Sequence, residues 1–446
     1  MSGNGALAAP KISSAEEQLL RKISLRIVPF LFSAYVVSFL DRVNIGFAQL
    51  QMKHDLGFGD AIYGLGAGIF FIGYFLFEVP SNLLLVKIGA RKTFCRIMFC
   101  WGVVSTAMMF VNTPWQFYTL RFLLGAFEAG FFPGIVLYLT YWYPERRRAT
   151  VVSWFFSGVA ISGVIGGLLS GWVMQHMAGI AGMYGWQWLF LIEGLPACVL
   201  GIMGYFMLFD GPHLVNWLSD SEKNLLAQLL TRDVPRERAQ TASSHSFSAV
   251  LSNGKVYLFS LIYFTLACGS FAISFWVPTM IKESGIHDLT SVGLYTAIPY
   301  GVAAFGIIYI SRRSDAMLER RRYFSVCAVG GAIALSLLSV NGIGLPAMLV
   351  ILSVAITLIY ASMPIFWALP PLHLDKSAAA GGIALISSLG QIGGFASPYL
   401  IGLIKAHTGK LDNGLYVMSA LLCLGAIVLC GMTRAPHESI GLSTPR

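Results

Sequence analysis

The chain has 446 residues, of which 56% are hydrophobic and only 11% are charged, and its mean hydropathy is +0.70. A soluble globular domain carries roughly 25% charged residues because its surface must meet water, so this composition excludes an ordinary soluble protein. The formal net charge of +9 falls in short stretches between apolar segments. That distribution argues against a nucleic-acid partner and for a lipid bilayer as the surroundings.

Apolar segments recur along the chain at the length that a bilayer requires. A helix that crosses the hydrocarbon core needs about 20 apolar residues. This criterion predicts twelve spans, at 25–49, 61–86, 94–111, 115–141, 150–175, 187–209, 256–281, 291–311, 323–342, 346–368, 378–404 and 414–433. The sequence therefore predicts an all-α polytopic membrane protein with twelve transmembrane helices.

The longest polar interruption separates the sixth span from the seventh and divides the chain six plus six. Within it, Ser219 and Glu222 have the spacing of a capping box, which predicts a short helix over 224–230. Residues 241–248 are typical of a flexible linker. The predicted organisation is an N-terminal segment 1–24, a six-helix bundle 25–209, a linker 210–255, a second six-helix bundle 256–433 and a tail 434–446.

The distribution of basic residues between alternate loops predicts the orientation. Of the 30 Lys and Arg residues, four (Lys53, Lys282, Lys405 and Lys410) lie on one side and all others outside the spans lie on the opposite side. Loops rich in Lys and Arg stay in the cytoplasm. Both termini and the linker are therefore predicted to be cytoplasmic.

Two loops at equivalent positions of the two halves look like copies of one another. They are residues 82–92 (NLLLVKIGARK) and 311–321 (SRRSDAMLERR). Both resemble the signature loop of the major facilitator superfamily, G-x-L-x-D-R-x-G-R-R/K, although Asn82 replaces its first glycine and Val86 its aspartate. Duplicated halves of this kind enclose a central path. We assign Asp315, the acid of the second loop, to gating.

Further stretches narrow the resemblance to one branch of that superfamily. The sequence is similar to the anion:cation symporter family at 39–45 (FLDRVNI), 73–82 (GYFLFEVPSN), 121–129 (RFLLGAFEA), 188–196 (WLFLIEGLP) and 366–370 (FWALP). The resemblance implies the major facilitator fold, with two pseudo-symmetric six-helix bundles. It also implies the activity of bacterial proton-coupled carriers of sugar acids, tartrate and aromatic acids.

Charged side chains inside the first span point to substrate and proton binding. A charge at the bilayer centre costs at least about 2.5–3.5 kcal/mol, so Asp41 and Arg42 need a role or a partner. Arginine stays charged and grips a carboxylate with two parallel hydrogen bonds. We predict that Arg42 binds the substrate anion and that Asp41 binds a proton, both facing a polar cavity. A structural ion pair with other helices is the alternative.

The fourth span carries a second acid and base. Arg121 and Glu128 are seven residues apart and therefore lie on the same helix face. A nearby cation favours an ionised carboxylate and burial favours the neutral acid, so Glu128 is predicted to carry a proton, to be ionised when Arg121 or Arg42 approaches, and to have its pKa tuned by Arg121. A fixed interhelical ion pair remains the alternative reading.

Other polar and aromatic residues in the spans are candidates for the lining of the central path. Glu78 follows Tyr74 by one turn, and we assign Glu78 to gating or packing. Candidate contacts with the substrate are Tyr74, Trp367, Ser387, Ser388 and Gln391, although aromatic packing and hydrogen bonds between helices explain such residues equally well.

These observations predict a transporter and not an enzyme. We expect proton-coupled uptake of a small organic carboxylate, such as a sugar acid, a hydroxy-dicarboxylate or an aromatic acid, by a monomer in the bacterial inner membrane. The energy source is a proton gradient, with no cofactor and no metal. A proton-independent facilitator or an anion exchanger of the same fold is the alternative. A membrane enzyme would show a metal or nucleophile constellation, and the sequence shows none.

Overall fold

The computed structural model of the protein describes residues 14–232, 251–317, 319–340, 342–374 and 379–432. Within these ranges the regular structure is helical, with three additional single turns at Met108–Phe110, Ile180–Gly182 and Pro212–Leu214. The helices are α1 Ser14–Val43, α2 Ile45–Asp55, α3 Asp60–Ile88, α4 Ala90–Ala107, α5 Pro114–Glu128, α6 Phe131–Thr140, α7 Glu145–His176, α8 Gly185–Met207, α9 Asp220–Arg232, α10 Gly254–Glu283, α11 Leu289–Met317, α12 Arg320–Leu337, α13 Leu345–Trp367, α14 Pro370–His373, α15 Ala379–Thr408 and α16 Asp412–Gly431.

All twelve predicted spans coincide with helices. Ten helical segments within the described ranges are long and apolar enough to cross a membrane. The other two predicted spans are α12, which begins with three arginines, and α15, which is rich in glycine and polar residues. The protein is all-α and polytopic, with one bundle formed by α1–α8 and another by α10–α16.

Two predicted spans are broken where the sequence reading assumed continuous helices. The span 25–49 divides at Asn44 into α1 and α2, and the span 115–141 divides after Glu128 into α5 and α6. Gly130 adopts φ 83°, a left-handed conformation that glycine tolerates best. Pro133 lies in the first turn of α6, where no intrahelical N–H bond is lost. Hydropathy does not detect such breaks because the apolar residues continue through them.

Successive spans run in opposite directions, so the connections between them alternate between two sides of the protein. We call the side that carries Ser14, α9 and Met432 the linker side, and the opposite side the far side. Between the bundles, α3 packs against α15 and α7 packs against α11. α3 and α11 are the second spans of their halves, and α7 and α15 are the fifth. Each pair therefore joins a second span of one half to the fifth span of the other, which is the pseudo-symmetry expected of duplicated six-helix units.

Glycines let the two bundles approach closely on the far side. A Cβ atom added to Gly167 of α7 would lie 2.7 Å from the carbonyl oxygen of Gly293 in α11. Likewise, a Cβ atom on Gly68 of α3 would lie 2.8 Å from the carbonyl oxygen of Phe395 in α15. Small residues at such crossings bring helix backbones together, so the bundles are in direct contact in this half.

Polar contacts complete the far-side closure. Lys405 of α15 is buried and pairs with Glu283 at 2.6 Å and with Asp60 of the first bundle at 3.4 Å. Asp60 also pairs with Lys53 at 2.9 Å. In addition, the Tyr63 hydroxyl donates to the carbonyl oxygen of Phe275 in the second bundle at 2.8 Å. We call Lys405, Asp60, Glu283 and Lys53 the far-side latch.

Removing the central cation of the far-side latch should open the far side. Lys405→Met leaves Asp60 and Glu283 without their shared cation, and Glu283 is half-exposed, at 51%. Solvent screening limits the loss to about 1 kcal/mol, which corresponds to a roughly five-fold shift of a two-state equilibrium. We expect the population with a separated far side to increase by that factor.

The far-side distance can be measured directly by double electron–electron resonance. Spin labels at His54→Cys and His407→Cys report the separation of α2 from α15 in a background without native cysteines. Lys410→Met removes another far-side lysine outside the latch and serves as the matched control. An unchanged distance distribution in Lys405→Met would show that the latch does not hold the far side closed.

The short linker helix forms as its capping signal predicts. The backbone N–H of Glu222 donates to the Ser219 hydroxyl at 3.2 Å, and the Glu222 carboxylate accepts from the Ser219 N–H at 2.8 Å. Lys22 of α1 also donates to Glu222 at 2.8 Å, and this hydrogen bond lowers the pKa of the Glu222 carboxyl. The contact joins α9 to the first bundle. Residues 241–248 lie outside the described ranges.

Candidate functional site

A cavity of about 800 Å³ lies between the two bundles. Its walls include the linker-side ends of α3, α6 and α13, so it extends from mid-membrane toward the linker side, while the far side is sealed. The lining residues that carry polar or aromatic groups central to the site are Tyr35, Ser38, Arg42, Tyr74, Glu78, Glu128, Tyr263, Ser270, Tyr360, Trp367, Ser387, Ser388 and Gln391.

An ion pair occupies the inner part of this cavity. The guanidinium of Arg42 donates from Nη2 to Oε1 of Glu128, which also accepts from the Ser38 hydroxyl at 2.7 Å. Glu128 is fully buried and Arg42 is 8% exposed. Arg42 Nε and Glu128 Oε2 have no hydrogen-bond partner in the protein. The pair therefore contains one buried donor and one buried acceptor whose hydrogen-bonding capacity is not used within the protein.

Helix breaks and aromatic rings position the pair. Arg42 lies two residues before the break at Asn44, and Glu128 is the last residue of α5. The Arg42 guanidinium carbon lies 5.1 Å from the ring centre of Phe39, 5.2 Å from that of Phe70 and 5.4 Å from that of Tyr74. Rings stabilise a guanidinium without neutralising its charge, so Arg42 remains able to attract an anion.

Asp41 does not share the cavity with Arg42, contrary to the predicted arrangement. Its carboxylate accepts from the Trp101 indole N–H at 2.8 Å and from the Ser105 hydroxyl at 2.6 Å. Both donors belong to α4. Adjacent residues on a helix point about 100° apart, so Asp41 faces the interior of the first bundle when Arg42 faces the cavity.

Arg121 is also outside the cavity lining. It is fully buried, and its Nε donates to the carbonyl oxygen of Gly66 in α3 at 3.1 Å. Its guanidinium carbon lies 5.1 Å from the ring centre of Phe70, a ring that Arg42 also contacts. The cation bound to Glu128 is therefore Arg42 and not Arg121, because two turns of α5 separate Arg121 from Glu128.

Glu78 joins the two bundles at the cavity wall. The Ser388 hydroxyl of α15 donates to its Oε2 at 3.2 Å. Glu78 is buried, at 6% exposure, and lies in the linker-side half of α3. Its placement agrees with a gating contact between bundles, although the gating role itself stays a prediction.

The wall contributed by the second bundle is aromatic with a few polar groups. Tyr263 of α10 stacks on Phe366 at 5.3 Å and meets Trp367 edge-on at 4.8 Å. Gln391 donates to the Tyr263 hydroxyl at 3.5 Å, and Gln391 Oε1 has no partner. The wall therefore combines aromatic rings with a buried amide oxygen that has no partner in the protein.

The structure thus brings most predicted site residues together. Arg42, Glu128, Tyr74, Glu78, Trp367, Ser387, Ser388 and Gln391 line one cavity. The side chain of Asp315 lies outside the described part of the chain, and Asp315 itself lies in α11. In the described ranges, no group of three or more His, Cys, Asp and Glu side chains is placed to hold a metal ion.

Sequence reasoning missed several lining residues. Ser38 precedes Arg42 by four residues and therefore shares its helix face, a signal that was present in the sequence. Tyr263 and Tyr360 gave no such signal, because isolated tyrosines in apolar helices usually pack in the interior. Tyr360 hydrogen-bonds Ser274 at 2.5 Å and lines the cavity opposite the first bundle.

Two helical bundles that enclose a cavity open on one side and sealed on the other define a membrane transporter. The family model described as the Major Facilitator Superfamily matches residues 31–398. The inward-open, partially occluded structure of the xylose transporter XylE from E. coli has a TM-score of 0.73, at 13% identity, over 93% of this chain and 98% of that one. At this identity the likeness shows the fold alone.

Curated relatives match nearly the whole chain. A protein of Agrobacterium vitis, named as a candidate tartrate transporter, is 44% identical over 437 residues, which cover 97% of this chain and 99% of the relative. A protein of Acinetobacter baumannii, named as a quinolone resistance transporter, is 40% identical over 435 residues, with 96% and 99% covered. The chain belongs to the major facilitator superfamily, and it transports an organic substrate and is not an enzyme. The superfamily and fold class predicted from the sequence are therefore confirmed.

Proposed function

We propose that the protein is a proton-coupled symporter that takes up a small organic carboxylate. The observation that carries the proposal is the buried Arg42–Glu128 pair in the cavity, with one unpartnered donor and one unpartnered acceptor. A buried cation that is paired with an ionisable acid can pair with a different anion once that acid is neutralised. Protonation of Glu128 removes its negative charge and leaves Arg42 free to bind a carboxylate.

The charge balance of this exchange explains coupling. With Glu128 ionised, the pair is neutral and gains little from a second anion. Once Glu128 is protonated, the bound substrate restores neutrality, and the neutral loaded site can pass the alternating-access step without a net buried charge. A ligand shifts a conformational equilibrium only through its different affinity for the two states, and here the proton and the anion favour the same state.

We infer that the linker side is cytoplasmic and that the protein spans the bacterial inner membrane as a monomer. The lysines of the far side are few, and the basic residues of the linker side many, which fits the positive-inside rule. In this orientation the cavity faces the cytoplasm, and substrate and proton are released from the cavity into the cytoplasm. The energy comes from the proton gradient, without a cofactor.

The chemistry of the cavity walls supports a small organic carboxylate as the substrate. Arg42 suits a carboxylate, while Ser387, Ser388 and Gln391 supply hydrogen-bond partners for hydroxyl groups. A relative named for tartrate, a hydroxy-dicarboxylate, supports this class. Aromatic carboxylates are also compatible, because Tyr263 and Trp367 present their rings to the same cavity.

The relative named for quinolone resistance favours a second candidate, transport in the outward direction. The fold permits transport in either direction. The direction depends on the proton and substrate gradients and on how the site couples the two. Uptake of labelled carboxylates into right-side-out vesicles, compared with uptake into everted vesicles, separates import from export.

Counterflow in proteoliposomes tests the substrate class. Vesicles preloaded with tartrate, a sugar acid or an aromatic acid should transiently concentrate the same labelled compound, without an imposed gradient. We expect exchange with at least one carboxylate and none with its amide. Exchange of a neutral amide at the same rate would show that Arg42 does not recognise an anionic group.

A further inference from the structure

We propose that Glu78 is an additional proton-binding site, which is ionised while the cavity is open to the linker side and takes up a proton when the bundles close over it. The proposal rests on the function above and assigns to Glu78 a task different from that of Glu128. The proton on Glu78 enters from the linker side and returns to it. It therefore controls closing without adding to the number of protons transported per cycle.

The position of Glu78 singles it out among the contacts between the bundles. The other hydrogen bonds that join the bundles within the described ranges lie toward the far side, such as Tyr63 to Phe275, Gln49 to Thr279 and Lys282 to Leu50. The bond from Ser388 to Glu78 lies nearest the linker side. Beyond it, α3 residues such as Leu83 and Val86 line the open cavity.

No Lys or Arg of the described residues pairs with the Glu78 carboxylate, and Arg96 of α4, which packs near it, donates to Ser81 of α3 at 3.0 Å and lies outside the cavity lining. Arg42 is the one cation in the described lining of the cavity, and Glu128 already binds it. The lining thus contains two carboxyl groups for a single positive charge. The ionisable groups that share the cavity with Glu78 are, besides that pair, the tyrosines of four different helices: Tyr35, Tyr74, Tyr263 and Tyr360. None of these supplies a positive charge.

The partner of Glu78 is compatible with both charge states. A serine hydroxyl is both a donor and an acceptor, so Ser388 can donate to an ionised Glu78 or accept from a protonated one. Glu78 is only 6% exposed but lines the cavity, so the open cavity is the source of the water that reaches its carboxylate, and closing the linker side would remove that water. A buried carboxylate without a cation takes up a proton instead of remaining charged. Closure and proton uptake at Glu78 are therefore linked.

The first test follows linker-side closure against pH without any substrate. Spin labels at Lys92→Cys on α4 and Met317→Cys on α11 report the distance between the bundles in the reconstituted full chain. We expect the closed fraction of the wild type to rise as the pH falls, by up to about ten-fold per pH unit for one linked proton. Glu78→Gln imitates the protonated acid, and its closed fraction should be high and insensitive to pH.

A matched control separates this site from other buried acids. Glu193 of α8 accepts from one serine hydroxyl, that of Ser170, at 2.8 Å, and it does not line the cavity. Glu193→Gln should therefore retain the pH dependence of the wild type. Ser388→Ala keeps the carboxyl but removes its donor. Because a hydrogen bond to an ionised carboxylate is stronger than one to the neutral acid, the loss destabilises the ionised form more, and the pH midpoint of closing should move upward.

An infrared pH titration identifies the group that binds the proton. The wild-type spectrum should contain a protonated-carboxyl band whose pH dependence follows closing, and Glu78→Gln should lose that band. The proposal is overturned if closing in the wild type does not depend on pH, or if Glu78→Gln keeps that dependence. It is equally overturned if Ser388→Ala leaves the midpoint unchanged. Failure of proton-driven uptake would instead refute the proposed function, and these substrate-free measurements distinguish the two.

Discussion

Arg42→Lys should weaken carboxylate binding by about 1.5–3 kcal/mol, which is a roughly 10- to 150-fold increase in Kd. Lysine keeps the positive charge and can still pair with Glu128, but it lacks the planar fork that holds both oxygens of a carboxylate. The loss of binding energy would therefore reflect the missing two-point hydrogen bonding of the guanidinium and not a change in charge. Isothermal titration of the purified protein with the carboxylate that it exchanges measures the change.

Arg96→Lys provides the matched control for Arg42→Lys. Arg96 of α4 donates to the Ser81 hydroxyl of α3 at 3.0 Å and does not line the cavity. Its replacement should leave Kd unchanged, and thermal unfolding should show that both variants are folded. Native affinity in a folded Arg42→Lys protein would exclude Arg42 as the residue that grips the carboxylate.

Glu128→Gln should abolish accumulation of substrate against its gradient and preserve exchange. Glutamine keeps an oxygen that can accept from Ser38 and Arg42, but it carries no titratable proton. Arg42 is then permanently without an anionic partner, as in the protonated wild type. Substrate binding should consequently be strong at every pH at which the substrate is ionised, whereas binding to the wild type should weaken as the pH rises.

The two halves of this prediction are measured in the same proteoliposomes. Counterflow should continue in Glu128→Gln, and uptake driven by an alkaline interior should fall to the level of simple equilibration. Glu193→Gln, a buried acid outside the cavity, should accumulate substrate normally. If Glu128→Gln still concentrates substrate under a pH gradient, another group carries the transported proton.

The sequence was sufficient to predict the spans and the superfamily, and most of the site residues that it singled out line the cavity. Span length follows from bilayer thickness, and the repeated loops reveal the two halves, so both are local or periodic signals. Arg42 and Glu128 could be identified as candidates because a charge in a membrane helix is costly. The spans and the charged candidates depend on composition and spacing, whereas the superfamily was predicted from the resemblance of the two loops and the further motifs.

The partners of the buried charges could not be predicted in the same way. Asp41 pairs with α4, and Arg121 with backbone carbonyls of α3, because helix packing decides which face of each helix meets the cavity. The seven-residue spacing placed Arg121 and Glu128 on one face but could not show that Arg42 lies closer to Glu128. Likewise, the breaks at Asn44 and Gly130 are backbone features within continuous apolar sequence.

Accumulation under an imposed proton gradient tests the central claim most directly. Proteoliposomes with an alkaline interior are supplied with the labelled carboxylate that the protein exchanges, with and without a protonophore. The account predicts that the wild type concentrates the substrate above its external level and that the protonophore abolishes this accumulation, while Glu128→Gln only equilibrates it. Uptake by the wild type that stops at equilibrium, and that neither the gradient nor the protonophore alters, would contradict proton coupling and identify the protein as a facilitator.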